Sequence, residues 1–236
     1  MIVTRAEVGA SGVEFVADEA GGLSRPTSAQ QVAAHIRRMI FDQRLRAGER
    51  VPQDEIAAEL RVSRVPVREA VIALDREGWV TSRPHLGAFV NGLDENSVRD
   101  HYELLGLMYG LAARRAVERG TEEGIAALAE TAKELQATND ADAFAALNTT
   151  FLRQVLVLAS SRRISAVARV ITTNIVPGNF FAQVPGVIRI HKRGMRAIVK
   201  ALKAGDGTGA EAAFVDLLRA ETDSVVSLLE QRGLLS

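Results

Sequence analysis

Apolar residues recur with a helical period through most of this chain, and the breaks between periodic stretches divide it into elements. The first clear stretch puts Val32, Ile36, Met39 and Ile40 on one face, and Ser28 followed by Gln31 has capping-box spacing at its start. Arg46-Ala47-Gly48-Glu49 ends it. A short helix is expected from about Gln53 to Leu60, with Ile56, Ala57 and Leu60 inward. Arg61-Val62-Ser63 leads into a third helix, capped by Ser63, with Pro66 in the first turn where no intrahelical N–H is needed. Val67, Ala70, Val71 and Leu74 mark its core face, and Gly78 stops it. Trp79 to Ser82 and Ala88 to Val90 read as short strands around Arg83-Pro84-His85-Leu86-Gly87. Helix, helix, tight turn, helix and hairpin, in that order, make a winged helix-turn-helix.

After Asn91-Gly92 the pattern becomes helical throughout. Six amphipathic stretches are expected, roughly 94–119, 122–138, 140–159, 161–175, 187–204 and 209–232. Gly120, Asn139, Ser160-Ser161, the Pro-Gly pairs at 177–178 and 185–186, and Gly205 to Gly209 separate them. Connections this short make antiparallel neighbours in a bundle. The fold class is therefore mainly α, with a winged helix-turn-helix over 28–93 and an all-helical bundle over 94–236. Residues 1–27 lack periodicity and read as a flexible N-terminal extension, with a short strand at Val13 to Val16.

Composition narrows the chemistry. The chain has 236 residues, 47% hydrophobic and 25% charged, with 29 basic and 29 acidic side chains. It contains no cysteine, which excludes disulfides, thiolate catalysis and a Cys-based zinc site. No apolar run nears the roughly 18–20 residues of a membrane span, and Arg5, Glu7 and Glu14 interrupt any leader-like stretch. A cytoplasmic protein without a membrane partner is expected. Residues 28–93 carry ten Arg, no Lys and eight acids, a slight local positive excess.

In a helix-turn-helix the third helix enters the major groove. Arg64 and Arg68 stand one turn apart, away from the Val67/Ala70/Val71 face, and a guanidinium can take guanine O6 and N7 together. The run Val62-Ser63-Arg64-Val65-Pro66-Val67-Arg68-Glu69-Ala70, with Leu74, Glu77-Gly78-Trp79 and Gly87, resembles the DNA-binding domain of the GntR family of bacterial transcription regulators. The resemblance implies operator contacts by Ser63, Arg64 and Arg68, with Pro66 shaping the helix start and His85 to Gly87 placed at the minor groove. Many relatives carry an Arg near the start of the second helix that reaches DNA; Asp54 stands there instead. Either Asp54 points away from the phosphates or the operator preference has changed.

The helical region resembles the FadR-type effector domain, known as FCD, through the motif from Ala197 to Asp206 and through Ala212-Ala213. Its six-helix count leans toward the vanillate-regulator-like branch. Many such domains hold a divalent metal through one Asp and three His. Those positions fall here on Asn148, Leu152, Met195 and Leu217, so no metal or other cofactor of the family type is expected. A pocket Arg of relatives falls on Leu105 and a Glu on Tyr109. Two readings stand side by side. One is a pocket reshaped for an apolar or amphiphilic effector, with Tyr109, Asn148, Thr149, Arg153 and Asn174 as polar contacts. The other is a filled interior serving dimerisation. His191, one turn before Met195, reads as a surface or hydrogen-bonded residue.

The resemblance implies a homodimeric regulator, most often a repressor, acting on double-stranded operator DNA under control of a small-molecule effector. The four His are scattered and no phosphate loop or nucleophile–base motif is present, so catalysis is not expected. A winged-helix protein-interaction module is the alternative.

Overall fold

The computed structural model describes residues 16–17, 23–24, 27–172 and 175–235. Strands β1 (Val16–Ala17) and β2 (Leu23–Ser24) pair antiparallel. The rest of the expected extension, including residues 13–15 of its proposed strand, lies outside the described residues.

The winged unit comprises α1 (Ser28–Phe41), α2 (Gln53–Glu59), α3 (Arg64–Arg76), β3 (Val80–Arg83) and β4 (Gly87–Val90). Thr27 rather than Ser28 caps α1. Its hydroxyl accepts from the Gln30 N–H at 3.2 Å, and Gln30 Oε1 accepts from the Thr27 N–H at 2.7 Å. The capping-box spacing is the expected one displaced by a residue, and the earlier start adds a backbone bond from Gln31 N–H to Thr27 O. Ile36, Ile56, Val67 and Leu74 meet in the centre of this unit, all fully buried. Arg37 on α1 reaches Glu77 beyond α3 at 2.6 Å, a largely buried pair that ties the first helix to the end of the third. β3 and β4 form the wing, with Val80 opposite Val90 and Arg83 opposite Gly87. Residues 48–51 extend this sheet through bonds from Gly48 N–H to Val90 O and from Val51 N–H to Ala88 O.

The helical unit holds α4 (Glu95–Arg119), α5 (Glu122–Ala137), α6 (Ala141–Ala159), α7 (Arg162–Ile171), α8 (Phe180–Gln183), α9 (Val187–Lys203) and α10 (Gly207–Gln231). Side chains of Asp94, Thr121, Asp140, Ser161 and Asp206 accept backbone N–H bonds at the starts of α4, α5, α6, α7 and α10. The single turn α8 is the element the hydrophobic pattern does not foretell. α4 and α10 pack along their length, and Gly106 and Gly110 let the backbones approach. A Cβ on Gly110 would stand 2.9 Å from Glu211 O.

The two units also meet where α10 ends. Arg232 lies over the Phe41 ring at 4.3 Å, and Gln43 Nε2 donates to the carbonyls of Arg232 and Gly233. Leu235 forms a bridge with Leu93. The last helix thus touches the winged unit directly.

Candidate functional site

On α3 the inward face is Val67, Ala70, Val71 and Leu74, which leaves Ser63, Arg64, Arg68 and Glu69 exposed. Ser63 occupies the cap position with extended dihedrals, but its side chain makes no cap bond. The expected capping bond is therefore absent. Its hydroxyl and the first N–H groups of α3 face solvent, where a phosphate oxygen can take them. Pro66 sits half-buried in the first turn. Arg68 has no acidic partner among the described residues, whereas Arg64 pairs with Asp54 at 2.9 Å. Asp54, at the start of α2, thus lies beside the first residue of α3.

At the wing, His85 is exposed in a left-handed turn (φ 60°) and Gly87 follows with φ 101°. A Cβ on Gly87 would lie 2.7 Å from Arg50 Nε, so glycine lets the Arg50 side chain cross the base of the wing. Arg83 stacks over Phe89 at 4.7 Å. Arg50 and Arg83 both flank Gly87 at the wing, with His85 in its turn, while Arg64 and Arg68 stand on α3. Sequence reading did not single out Arg50 or Val65. Val65 is 62% exposed between the two α3 arginines, an apolar group suited to a thymine methyl. An apolar residue outside the helix's core period was the signal available for it.

The apolar residues expected at an effector site are packed into the interior. Leu105, Tyr109, Met195 and Leu217 are buried core, with Tyr109 stacked on Phe214 at 5.7 Å. Burial pushes the Tyr109 phenol above its ordinary pKa. Leu152 and Arg153 are half-buried on α6. Thr149 is exposed, its hydroxyl donating to Ala145 O at 2.9 Å, so it contributes nothing to the interior. Asn174 lies outside the described residues. A concavity of about 550 Å³ lined by Asn139, Gly186, Ile188, Arg189, Lys192 and Arg196 opens on the surface and includes none of these positions.

Asn148 does face inward. His191 Nε2 lies 2.8 Å from Asn148 Oδ1, and His191 Nδ1 is hydrogen-bonded to Glu221 Oε1. His191 is a buried, doubly bonded residue, not a surface one. Phe144 and Phe181 meet its ring edge-on at 5.6 and 5.1 Å. Tyr102 packs on Phe180, and its hydroxyl has no hydrogen-bond partner among the described residues. Burial first, and the Glu221 charge second, push its phenol far up. A buried histidine bonded at both nitrogens ties α6, α9 and α10 together. Among the described residues no three His, Asp or Glu stand close enough to share a metal. Asn148, Leu152, Met195 and Leu217 offer an amide and a thioether but no imidazole, so the metal of FadR-type domains does not fit here.

Comparison with known proteins agrees with this geometry. Residues 28–90 match the bacterial regulatory proteins of the gntR family, and residues 100–220 match the FCD domain. The chain belongs to the GntR family. This GntR chain pairs the family's N-terminal domain with an FCD domain. It is 33% identical over 198 residues to a probable D-xylose utilization operon transcriptional repressor of Paenarthrobacter nicotinovorans, covering 81% of this chain and 86% of that one. It is 35% identical over 151 residues to an uncharacterized HTH-type transcriptional regulator of Mycobacterium tuberculosis, 64% of this chain, and spans 62% of that relative's length. The solved structure of E. coli McbR/YncC shares the fold with a TM-score of 0.60 at 20% identity, over 87% of this chain and 99% of that one. None of these matches assigns the GntR chain to the vanillate-regulator-like branch.

Proposed function

We propose that the protein is a cytoplasmic homodimeric repressor whose two winged units, residues 28–93, read the halves of a pseudo-palindromic operator. The observation that carries this is the exposed outer face of α3, where Ser63 and Arg68 have no side-chain partner among the described residues, together with Arg50, Arg83 and His85 at the wing. Ser63 and the α3 N-terminus hold phosphate, Pro66 sets the helix start, Arg64 and Arg68 read base edges, and His85 and Gly87 lie at the minor groove. The repressor sign is drawn from the Paenarthrobacter relative's description. Leu104 and Leu107, exposed on α4, supply an apolar stripe for pairing of residues 94–236 with a second copy. Selection of duplexes from a random pool by the purified protein tests the reading. An enriched inverted repeat supports it, and absence of any enriched site sinks it.

The regulation is the finer part. An effector bound among α4, α6, α9 and α10 alters operator affinity by binding one arrangement of the winged units better than the other. The packed state of Leu105, Tyr109, Met195 and Leu217 favours a second reading, in which the helical unit only dimerises the chain. A metabolite screen read by both melting temperature and operator affinity separates the two. A compound that moves both belongs to the first reading. If every compound leaves both unchanged, the second stands.

A further inference from the structure

Arg64 is the first residue of α3 and Asp54 the second of α2, and their side chains stand 82% and 72% exposed. They stand at the starts of the two helices that form the reading surface in the proposed function. The closest approach is from Arg64 Nε to Asp54 Oδ1, 2.9 Å. Exposed pairs of this kind contribute little to stability, about 0–1 kcal/mol, so the fold does not explain why an acid stands at a phosphate-facing surface. Each phosphate contact made by a cation raises affinity for any sequence, and an acid at the same surface lowers it. What an acid can supply is discrimination, because a carboxylate accepts from the cytosine N4 amino group and repels the O6 and N7 acceptors of guanine.

We propose that Asp54 is a specificity-determining residue: held against the Nε side of Arg64, it aims that guanidinium at one guanine and itself faces the amino group of an adjacent base. This rests on the reading of α3 as the helix in the major groove. With Asp54 on Nε, the two terminal nitrogens of Arg64 remain for guanine O6 and N7. The second carboxylate oxygen remains for an amino group. The same ion pair keeps Arg64 from wandering to phosphates, where it would bind all sequences alike. Asp54 thus lowers general affinity and raises the ratio of specific to non-specific binding.

The test uses the full chain in parallel duplex selections with the unaltered protein, Asp54→Asn, Asp54→Ala and Arg68→Ala. The unaltered protein enriches an inverted repeat. Both Asp54 variants are expected to enrich the same repeat and spacing with one or two adjacent positions per half-site degenerate. In titrations, discrimination at those positions falls roughly tenfold, while random duplex binds several-fold tighter with a steeper salt dependence. Arg68→Ala relaxes a different position. Base preferences in both Asp54 variants identical to those of the unaltered protein would overturn the proposal, as would weaker binding to random duplex. If the unaltered protein enriches nothing, the DNA-reading assignment fails and this proposal with it. Circular dichroism and melting of each variant separate a folding defect from a recognition defect; Asp54→Asn, which keeps the shape of the side chain, carries the decision if Asp54→Ala is misfolded.

Discussion

On α3 Ser63 and Arg68 stand exposed without protein partners among the described residues, whereas in the helical unit the buried His191 bonds both Glu221 and the half-buried Asn148. Both are groups of polar residues on helices, and their surroundings decide what they can do. Water satisfies the α3 groups, so in the proposed reading their bonding capacity is kept for nucleic acid. Inside the bundle no water competes, and an unmatched polar atom there costs about 1–3 kcal/mol. The interior trio therefore spends its bonds on holding α6, α9 and α10 together. Among the described residues of the same bundle, three atoms fall outside that rule: the Tyr102 hydroxyl, Arg114 Nε and Gln154 Oε1.

The largest effect is expected from breaking the trio. His191→Ala leaves Glu221 buried without its partner, at about 3–5 kcal/mol, and should lower the melting temperature by on the order of 10 °C. A loss of less than about 2 °C in thermal denaturation would mean that Glu221 reaches water and that the contrast with α3 is overstated. Arg68→Ala tests the other side. It should leave the melting temperature in place and weaken operator binding by about 1–3 kcal/mol in anisotropy titrations. Unchanged affinity would remove Arg68 from the base-reading set.

Gly87→Ala puts a Cβ against Arg50 in a left-handed backbone and should destabilise the fold by about 1–2 kcal/mol in urea unfolding. A neutral result would show that Arg50 yields and that the wing does not depend on the crossing. The smallest effect belongs to Arg232→Ala, which removes a contact worth about 0.5–1 kcal/mol from the Phe41 ring. Its readout is amide hydrogen exchange, faster at residues 41–43 and 234–235 with the helical core unchanged. Uniformly faster exchange would place this contact in the global core instead.

The long elements were legible because each carries several turns of amphipathic period, and α4, α5, α6, α7 and α10 also start at a capping side chain. The expected stretch 122–138 corresponds to α5 (Glu122–Ala137), with Thr121 bonded to Gly124 N–H. α8 was not legible, since a single turn between two Pro-Gly pairs has no period to read. At the winged surface the residue types could be read, but not the Arg64–Asp54 contact, which depends on how α2 and α3 cross. Leu105, Tyr109, Met195 and Leu217 could be read equally as pocket or core, because the same apolar side chains line both. His191 illustrates a signal that was present and unused. Met195 on α9 and Leu217 on α10 occupy facing family positions, and the two helices run antiparallel. One turn back along α9 therefore faces one turn forward along α10, which pairs His191 with Glu221.

The unbroken course of α4 has a mechanical consequence. Its 25 residues begin at Glu95, five positions after the wing strand β4 ends at Val90. At about 1.5 Å per residue it is a rod of roughly 37 Å. Held near its far end, such a rod converts a tilt of only ~5° into a displacement of ~3 Å at Glu95, close to the 3.4 Å step between stacked base pairs. A tilt of α4 and α10 together, which keeps their mutual packing, would then suffice to move the winged unit by about one base step.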